Sequence, residues 1–351
     1  MKAVYINGIG SVSIQYQDIF DFNLGSISDL SDVNYAKHPS YKEMIPAAMI
    51  RRMAQGVKMG IYASQTALND AEIEFPDAII TGTGMGCLQD SEKFLRAIIE
   101  NEEEFLTPTS FIQSTHNTVG SQIALRLGCK GYNFTYVNGA NSFENALLDA
   151  KLQIENDEEN NILVGGIDEI SDYTLSLLKK IEVVKKETSE IDFKNPTSVG
   201  VPFGEGANFL ALSSEKKSNS YAEICDVFVQ NKIDLTDLKP TVLSFLEANA
   251  IDLNAIDVLV LGRNADVNFN EYYSEIEQMF EDKSQVYYKH LSAEFDTASA
   301  FGVLVAAKVL NKQQIPNEIL WNNVQIAQTN YVLCYNQYRG KDHSLVLLKR
   351  C

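Results

Sequence analysis

The chain has 351 residues, a formal net charge of −18, 45% hydrophobic residues and 22% charged residues. This composition is typical of a folded globular protein, and the charge argues against nucleic acid, an anionic membrane surface or a strongly acidic protein as a direct partner. No apolar run is long enough to cross a membrane, and the N-terminus lacks a secretion-signal pattern, so we expect a cytoplasmic protein. Five scattered cysteines without a CxxC pair and four widely spaced histidines predict no metal site.

Strands and helices alternate along the first 215 residues, as they do in α/β proteins. In chain order the patterns predict a strand at 3–8, a helix within 42–73, a strand at 78–81, helices at 90–103 and 114–127, a strand, turn and helix over 131–154, a strand at 161–170, and a turn and strand within 201–214. A polar linker, SSEKKSNS, then changes the composition near residue 215.

The alternation restarts after this linker. The predicted elements are a strand at 221–230, a helix at 235–250, a strand at 255–262, a helix at 270–282, a strand at 285–291, a helix at 298–310, and strands at 330–337 and 343–350. We therefore predict an α/β protein with two related halves, residues 1–215 and 216–351.

Four motifs rich in small residues follow one another in the first half. They are GTGMG at 82–86, GYNFTYVNGANS at 131–142, VGGIDE at 164–169 and PFGEGA at 202–207. GTGMG alone is a weak signal, because it lacks the further glycine or the Lys-Ser/Thr pair of a nucleotide-binding loop. In this order and spacing, the four motifs resemble the β-ketoacyl synthase branch of the thiolase fold over nearly the whole chain. The resemblance implies a thiolase-like five-layer αβαβα architecture, a dimer and no cofactor.

The second motif is typical of a buried strand, a tight turn and an amphipathic helix, an elbow that presents one side chain at its tip. Active members of the family carry a cysteine there, and two histidines from the second half assist decarboxylation and stabilise the oxyanion. Matching the motifs places Ala140 at the cysteine and Gly262 and Glu294 at the two histidines, while Lys289 matches a retained lysine. A carboxylate at position 294 would repel an oxyanion; its structural alternative is an ion pair with Lys289 or with the N-terminus of the elbow helix.

The scaffold motifs without the three reactive residues indicate a chain-length-factor subunit, which performs no chemistry itself. By this resemblance the chain pairs with an active β-ketoacyl synthase, or with itself, and shapes the acyl tunnel of a polyketide-like or fatty-acid-like pathway. An acyl carrier protein is then an indirect partner. The stretches SFENALLDA and EFDTASAFG look most like the ketosynthase-like proteins of aryl-polyene and flexirubin pathways.

His116 begins a helix that crosses the dimer interface in this family. With its neighbours Ile112, Thr115 and Val119, it would line the end of the partner's tunnel, or it is a satisfied interface or core histidine. The alternative function is a homodimeric acyltransferase or decarboxylase with Ser142 or Cys87 as an unconventional nucleophile and His116 as the base. The structural alternatives are a helix N-cap for Ser142 and a buried thiol for Cys87.

Two further features have more than one interpretation. The Arg51–Arg52 pair, predicted on an amphipathic helix, either meets a phosphopantetheine arm or is solvated. A third function, a scaffold with a closed tunnel, would require Tyr136, Phe143 or Phe301 to fill the space above Ala140.

Overall fold

The fold is taken from a computed structural model, which describes residues 2–15 and 27–351. Within these residues the main sheet has ten strands: β1 (Tyr5–Val12), β3 (Ala78–Gly82), β4 (Asn133–Tyr136), β5 (Asn161–Asp168), β7 (Gly206–Ser213), β8 (Ala222–Gln230), β9 (Val258–Leu261), β10 (Ser284–Tyr287), β11 (Tyr331–Tyr338) and β12 (Lys341–Lys349). Two short strands, β2 (Val33–Asn34) and β6 (Phe203–Gly204), pair separately.

The strand order shows that the chain consists of two related halves. Across the sheet it is β4-β3-β5-β7-β1-β8-β12-β11-β9-β10. When the five main-sheet strands of each half are numbered in chain order, both halves have the same spatial order from the outer edge inward: third, second, fourth, fifth and first strand. The first two pairings of each half are parallel and the next two antiparallel. The halves meet where β1 pairs with β8, and the proposed division after residue 215 lies in the connection between β7 and β8.

The helices of the described residues are α1 (Ala47–Ile50), α2 (Gln55–Asp70), α3 (Leu88–Glu100), α4 (Pro108–Gln113), α5 (Thr118–Leu127), α6 (Ser142–Glu155), α7 (Asp172–Lys180), α8 (Leu235–Ala248), α9 (Asn270–Met279), α10 (Lys289–Ser292) and α11 (Ser299–Lys312). None of them combines the length and apolar character that a bilayer crossing requires.

Three apolar clusters define the layers. The inner cluster joins α6 and α11 to strands of both halves, whereas α2 and α5 pack on the outer face of the first half and α8 and α9 on that of the second. Alternation along a strand produces this arrangement: in β3, Ala78 and Ile80 face the inner cluster and Ile79 faces the outer one. The five-layer αβαβα prediction is therefore confirmed.

Four local predictions differ from the structure. The predicted strand before the elbow is not buried, because β4 is the outermost strand and Phe134 is 45% exposed. The predicted helix over 42–73 is interrupted, so Arg51–Arg52 lie in the turn between α1 and α2. The predicted helix at 114–127 begins only at Thr118, as α5, because a turn separates it from the short helix α4. The predicted strand at 285–291 ends at Tyr287, and Lys289 begins the short helix α10.

Candidate functional site

The elbow between β4 and α6 is built as a closed turn. Gly139 has φ +54°, a backbone conformation that favours glycine, and residues 139–141 form one 3₁₀ turn. Ser142 Oγ accepts a hydrogen bond from the Asn138 amide at 2.8 Å and donates one to the Gly139 carbonyl at 2.6 Å. Ala140 at the tip is 2% exposed. Ser142 thus stabilises the turn, and its hydroxyl is fully engaged.

Asp342, at the start of β12, reaches the tip of the elbow. Asn231 Nδ2 donates a hydrogen bond to Oδ1 at 2.7 Å, and a Cβ built on Gly139 would lie 3.1 Å from Oδ2. Burial raises the pKa of Asp342, and the Asn231 amide and the nearby Ala140 amide oppose the increase. A backbone amide at this point could stabilise an oxyanion. Here a carboxylate of the same chain already lies beside that amide.

The predicted positions Gly262, Lys289 and Glu294 converge on one buried network. Lys289 Nζ lies 2.7 Å from Glu294 Oε2 and donates to Asn336 Oδ1 at 2.9 Å, and Asn264 Nδ2 donates to Glu294 Oε2 at 2.7 Å. A Cβ built on Gly262 would lie 2.2 Å from Asn336 Oδ1, so the glycine makes room for this amide.

The two charges of this network are compensated within the protein. Lys289 is 1% and Glu294 2% exposed. Burial lowers the pKa of Lys289 and raises that of Glu294, and in each case the opposite charge of the partner counteracts the shift. Paired and hydrogen-bonded in this way, both groups are held as ions. The pair occupies the place where the family resemblance puts a histidine.

No histidine in residues 2–15 and 27–351 hydrogen-bonds this network. His290 follows Lys289 in α10, but its Nε2 contacts the Glu318 carbonyl at 3.0 Å and its ring packs edge-on against Phe193. Burial lowers the pKa of His290 to about 4. His290 is therefore neutral at pH 7 and contributes no proton chemistry to the elbow.

Two carboxyls beside the network, Asp168 and Asp296, were not predicted as site residues. Asp168 Oδ1 accepts from Thr83 Oγ1 at 3.0 Å and the Gly84 amide at 2.8 Å. Its Oδ2 accepts from the Thr297 amide at 2.9 Å and Thr297 Oγ1 at 2.8 Å. Asp168 lies in the VGGIDE motif and Asp296 in EFDTASA, but only the fold brings these segments together, because they are more than 100 residues apart. No cluster of three or more His, Cys, Asp or Glu side chains in the described residues has metal-site geometry.

The glutamates of the two most recognisable motifs are structural. Glu169 accepts the amides of Gly56 at 2.6 Å and Gln89 at 2.9 Å, which lie in the first turns of α2 and α3. Burial raises the pKa of Glu169 to about 7, and the two amides oppose the shift. Glu205 likewise accepts two backbone amides. These carboxylates join separate segments of the first half.

The other predicted residues lie at the surface or in the core. Ile112 is exposed in α4, and Thr115 and His116 are exposed in the turn between α4 and α5, whereas Val119 is 5% exposed in α5. Cys87 is 1% exposed, and burial raises the pKa of its thiol, which disfavours the reactive thiolate.

An exposed aromatic row follows the free edge of the sheet at β4. The rings of Tyr132 and Phe134 stack with centroids 6.1 Å apart, and Phe134 and Tyr136 lie 4.9 Å apart. Tyr132 is 40% and Val137 46% exposed. An open strand edge with apolar side chains is a surface that proteins normally cover. Phe111 and Ile112 of α4 add two further exposed apolar side chains.

Comparisons with known proteins point to one family. Residues 29–181 match the family model described as the β-ketoacyl synthase N-terminal domain, and no curated protein sequence matches the chain. A β-ketoacyl synthase from Burkholderia phymatum STM815 has a TM-score of 0.83 at 16% identity, covering 100% of both chains. The ishigamide ketosynthase/chain length factor has 0.82 at 16% identity, covering 100% of this chain and 99% of the other. A type II polyketide synthase acyl-carrier protein in complex with its ketosynthase bound to the hexaketide has 0.77 at 16% identity, covering 100% of both.

Proposed function

We propose that this chain, whose residues 29–181 match the β-ketoacyl synthase N-terminal domain and whose fold is similar to that of a β-ketoacyl synthase, is a catalytically silent subunit of the chain-length-factor type. It pairs with an active β-ketoacyl synthase and shapes the acyl tunnel in polyketide-like or fatty-acid-like biosynthesis. The acyl chain reaches the complex on an acyl carrier protein, which docks on the active subunit. The stretches SFENALLDA and EFDTASAFG support an aryl-polyene type of pathway.

The observation that carries the proposal is the chemistry of the elbow. Ala140 has no nucleophile, and the Asp342 carboxylate lies beside its amide and beside Gly139. Glu294, in place of a histidine, forms a buried ion pair with Lys289 at 2.7 Å. A condensing site needs a thiolate and donors directed at an oxyanion. This elbow has carboxylates at those points, so a developing negative charge would be repelled.

The free edge at β4 supports the role of a partner subunit. The row of Tyr132, Phe134, Tyr136 and Val137 has the aromatic composition of interface centres. The exposed Ile112, Thr115 and His116 would face the same partner and contribute to its tunnel wall. One similar structure is the ishigamide ketosynthase/chain length factor.

The rival function, an acyltransferase or decarboxylase with an unconventional nucleophile, has weaker support. Ser142 is fully buried, and its hydroxyl both donates and accepts within the turn. Cys87 is buried with a raised thiol pKa. His116, the proposed base, is exposed, and its ring packs beside Gly86. None of these groups forms a nucleophile–base hydrogen bond in the described residues.

A reconstituted condensation assay tests the proposal. The chain alone, given malonyl- and acyl-loaded carrier proteins, is expected to yield no extended product by mass spectrometry, whereas the chain with an active synthase yields products of defined length. His116→Trp should shift that length, because a larger side chain shortens the tunnel. Leu243→Trp, at an exposed position on α8, is the matched control. Extended product from the unmodified chain alone would overturn the proposal.

A further inference from the structure

The two outer edges of the main sheet differ in what covers them. At β10, residues 319–321 form an antiparallel bridge with the strand, in which the Trp321 amide donates to the Gln285 carbonyl at 2.7 Å. No segment of residues 2–15 and 27–351 covers β4 in this way. In the described part of the chain, β4 is therefore the edge of the main sheet that is open to another strand.

Asp149 of α6 lies over the aromatic row of this open edge. Its Oδ2 accepts a hydrogen bond from the Tyr132 hydroxyl at 3.1 Å, and its Oδ1 accepts one from Gln153 Nε2 at 3.0 Å. Its charge also contributes, after burial, to the raised pKa of Tyr136, at the other end of β4. One half-buried carboxylate therefore acts on both ends of the row.

The charges around the aromatic row are negative. Burial raises the pKa of Tyr132, and the charges of Asp149 and Glu158 add to the increase. Lys130, two residues before Tyr132, is exposed and forms no ion pair with either carboxylate. Among the residues that the structure describes, Asp149 therefore has hydrogen-bond donors but no cation that neutralises it, on a chain of net charge −18.

A second copy of this chain is a poor partner for such an edge. A two-fold symmetric pair brings the same patch of both copies together, so each aromatic row would meet the other. The carboxylates of Asp149 and Glu158 would then enter one interface from both sides. Like charges that meet in an interface suppress that pairing, whereas a lysine or arginine on the facing surface complements a carboxylate.

We propose that Asp149 selects the partner at this edge, because it disfavours a second copy of this chain and favours a synthase chain that presents a lysine or arginine to it. The identity of the partner as a synthase rests on the proposed function. The exclusion of a second copy rests on the open edge and its charges alone. The hydrogen bonds from Tyr132 and Gln153 fix the direction of the carboxylate before a partner binds.

Self-association of the full chain tests the exclusion of a second copy. Asp149→Asn keeps an oxygen that accepts from Tyr132 but removes the charge. Sedimentation velocity should give this variant a self-dissociation constant at least tenfold lower than that of wild type. Raising NaCl from about 50 to about 500 mM should strengthen self-association of wild type more than that of the variant, because salt screens like charges. Asp237→Asn, exposed on α8, is the matched control and should behave as wild type.

Charge reversal tests whether the two carboxylates face each other. Asp149→Lys, mixed in equal amounts with isotope-labelled wild type, should form mixed pairs above the share expected from random exchange, as counted by native mass spectrometry. Each mixed pair would place an ammonium opposite a carboxylate. Toward the synthase, titration calorimetry should show binding weakened about fivefold by Asp149→Asn and at least about twentyfold by Asp149→Lys.

Three results would overturn the inference. They are a self-dissociation constant of Asp149→Asn equal to that of wild type, a random share of mixed pairs, and synthase binding that neither variant changes. If no synthase binds the wild-type chain, the proposed function fails, while the two self-pairing experiments still decide whether Asp149 excludes a second copy. If a synthase binds and the self-pairing experiments fail, the proposed function stands and selection by Asp149 is rejected.

Discussion

Replacing Glu294 by glutamine tests how much the ion pair between Glu294 and Lys289 stabilises the fold. Glu294→Gln keeps the shape of the side chain but leaves the ammonium of Lys289, which is 1% exposed, without its counter-charge. Breaking a buried ion pair costs about 3–5 kcal/mol. Asn336 Oδ1, 2.9 Å from Lys289 Nζ, still accepts one hydrogen bond. We therefore expect a loss near the lower limit, about 3 kcal/mol of unfolding free energy.

The double variant Lys289→Met/Glu294→Gln separates pairing from packing. It removes both charges, so it should cost less than Glu294→Gln alone, with a coupling energy of about 2 kcal/mol. Urea unfolding followed by the fluorescence of Trp321, the only tryptophan, measures each value, because this ring stacks on Tyr287 of β10 at 3.8 Å.

A surface pair provides the matched control for this cycle. Lys239 and Glu275 lie 2.8 Å apart but are 40% and 33% exposed, so the same substitutions there should cost less than about 1 kcal/mol. A loss below 1 kcal/mol for Glu294→Gln, or additive effects in the cycle, would refute the view that this network is a buried ion pair.

Three further predictions concern the elbow, the carboxyl pair and the sheet edge. Ala140→Cys should give no condensing activity. Intact mass should show that this cysteine is acylated at least tenfold more slowly than the cysteine of an active synthase. Equal rates would contradict the view that the Asp342 carboxylate makes the Ala140 amide unfavourable for an oxyanion. Asp296→Asn should stabilise the chain relative to wild type, because between pH 4 and about 8 the folded wild-type chain keeps a proton on Asp296 that the unfolded chain releases. In urea unfolding, the difference in unfolding free energy should grow by up to about 1.4 kcal/mol per pH unit from pH 4 to about 8 and stay constant above pH 8. A difference that does not change with pH would contradict a pKa of Asp296 raised by burial and by the charge of Asp168. Phe134→Glu should weaken pairing with a synthase at least tenfold by titration calorimetry, whereas Phe75→Glu, at a 60% exposed position, should not; equal losses would contradict the edge as the interface.

The amino-acid sequence predicts the layers of this fold well, because alternation and small-residue turns are local. The strands of the second half, for example, lie within a few residues of their predicted ranges. The edge position of β4 was predicted wrongly for a physical reason. Phe134 and Tyr136 have the composition of a core strand, and a surface that a partner covers has the same composition. Only the strand order reveals that no strand of the described residues covers it.

The candidate site is less accessible from sequence, because its chemistry depends on contacts between distant segments. The pairing of Lys289 with Glu294, five residues apart, was one of the alternatives that the sequence offered. The proximity of Asp342 to Ala140 and the hydrogen bonds from Thr297 to Asp168 join residues more than 100 positions apart. No local pattern specifies these contacts, although each carboxyl lies in or beside a motif of small residues.

The solution mass of the protein, expressed alone and together with an active β-ketoacyl synthase from the same gene neighbourhood, tests the central claim most directly. Native mass spectrometry separates homodimers from mixed pairs. The account predicts a one-to-one complex in preference to self-pairs of either chain. A homodimer that persists unchanged in the presence of the synthase would contradict the proposed role as a silent, tunnel-shaping subunit.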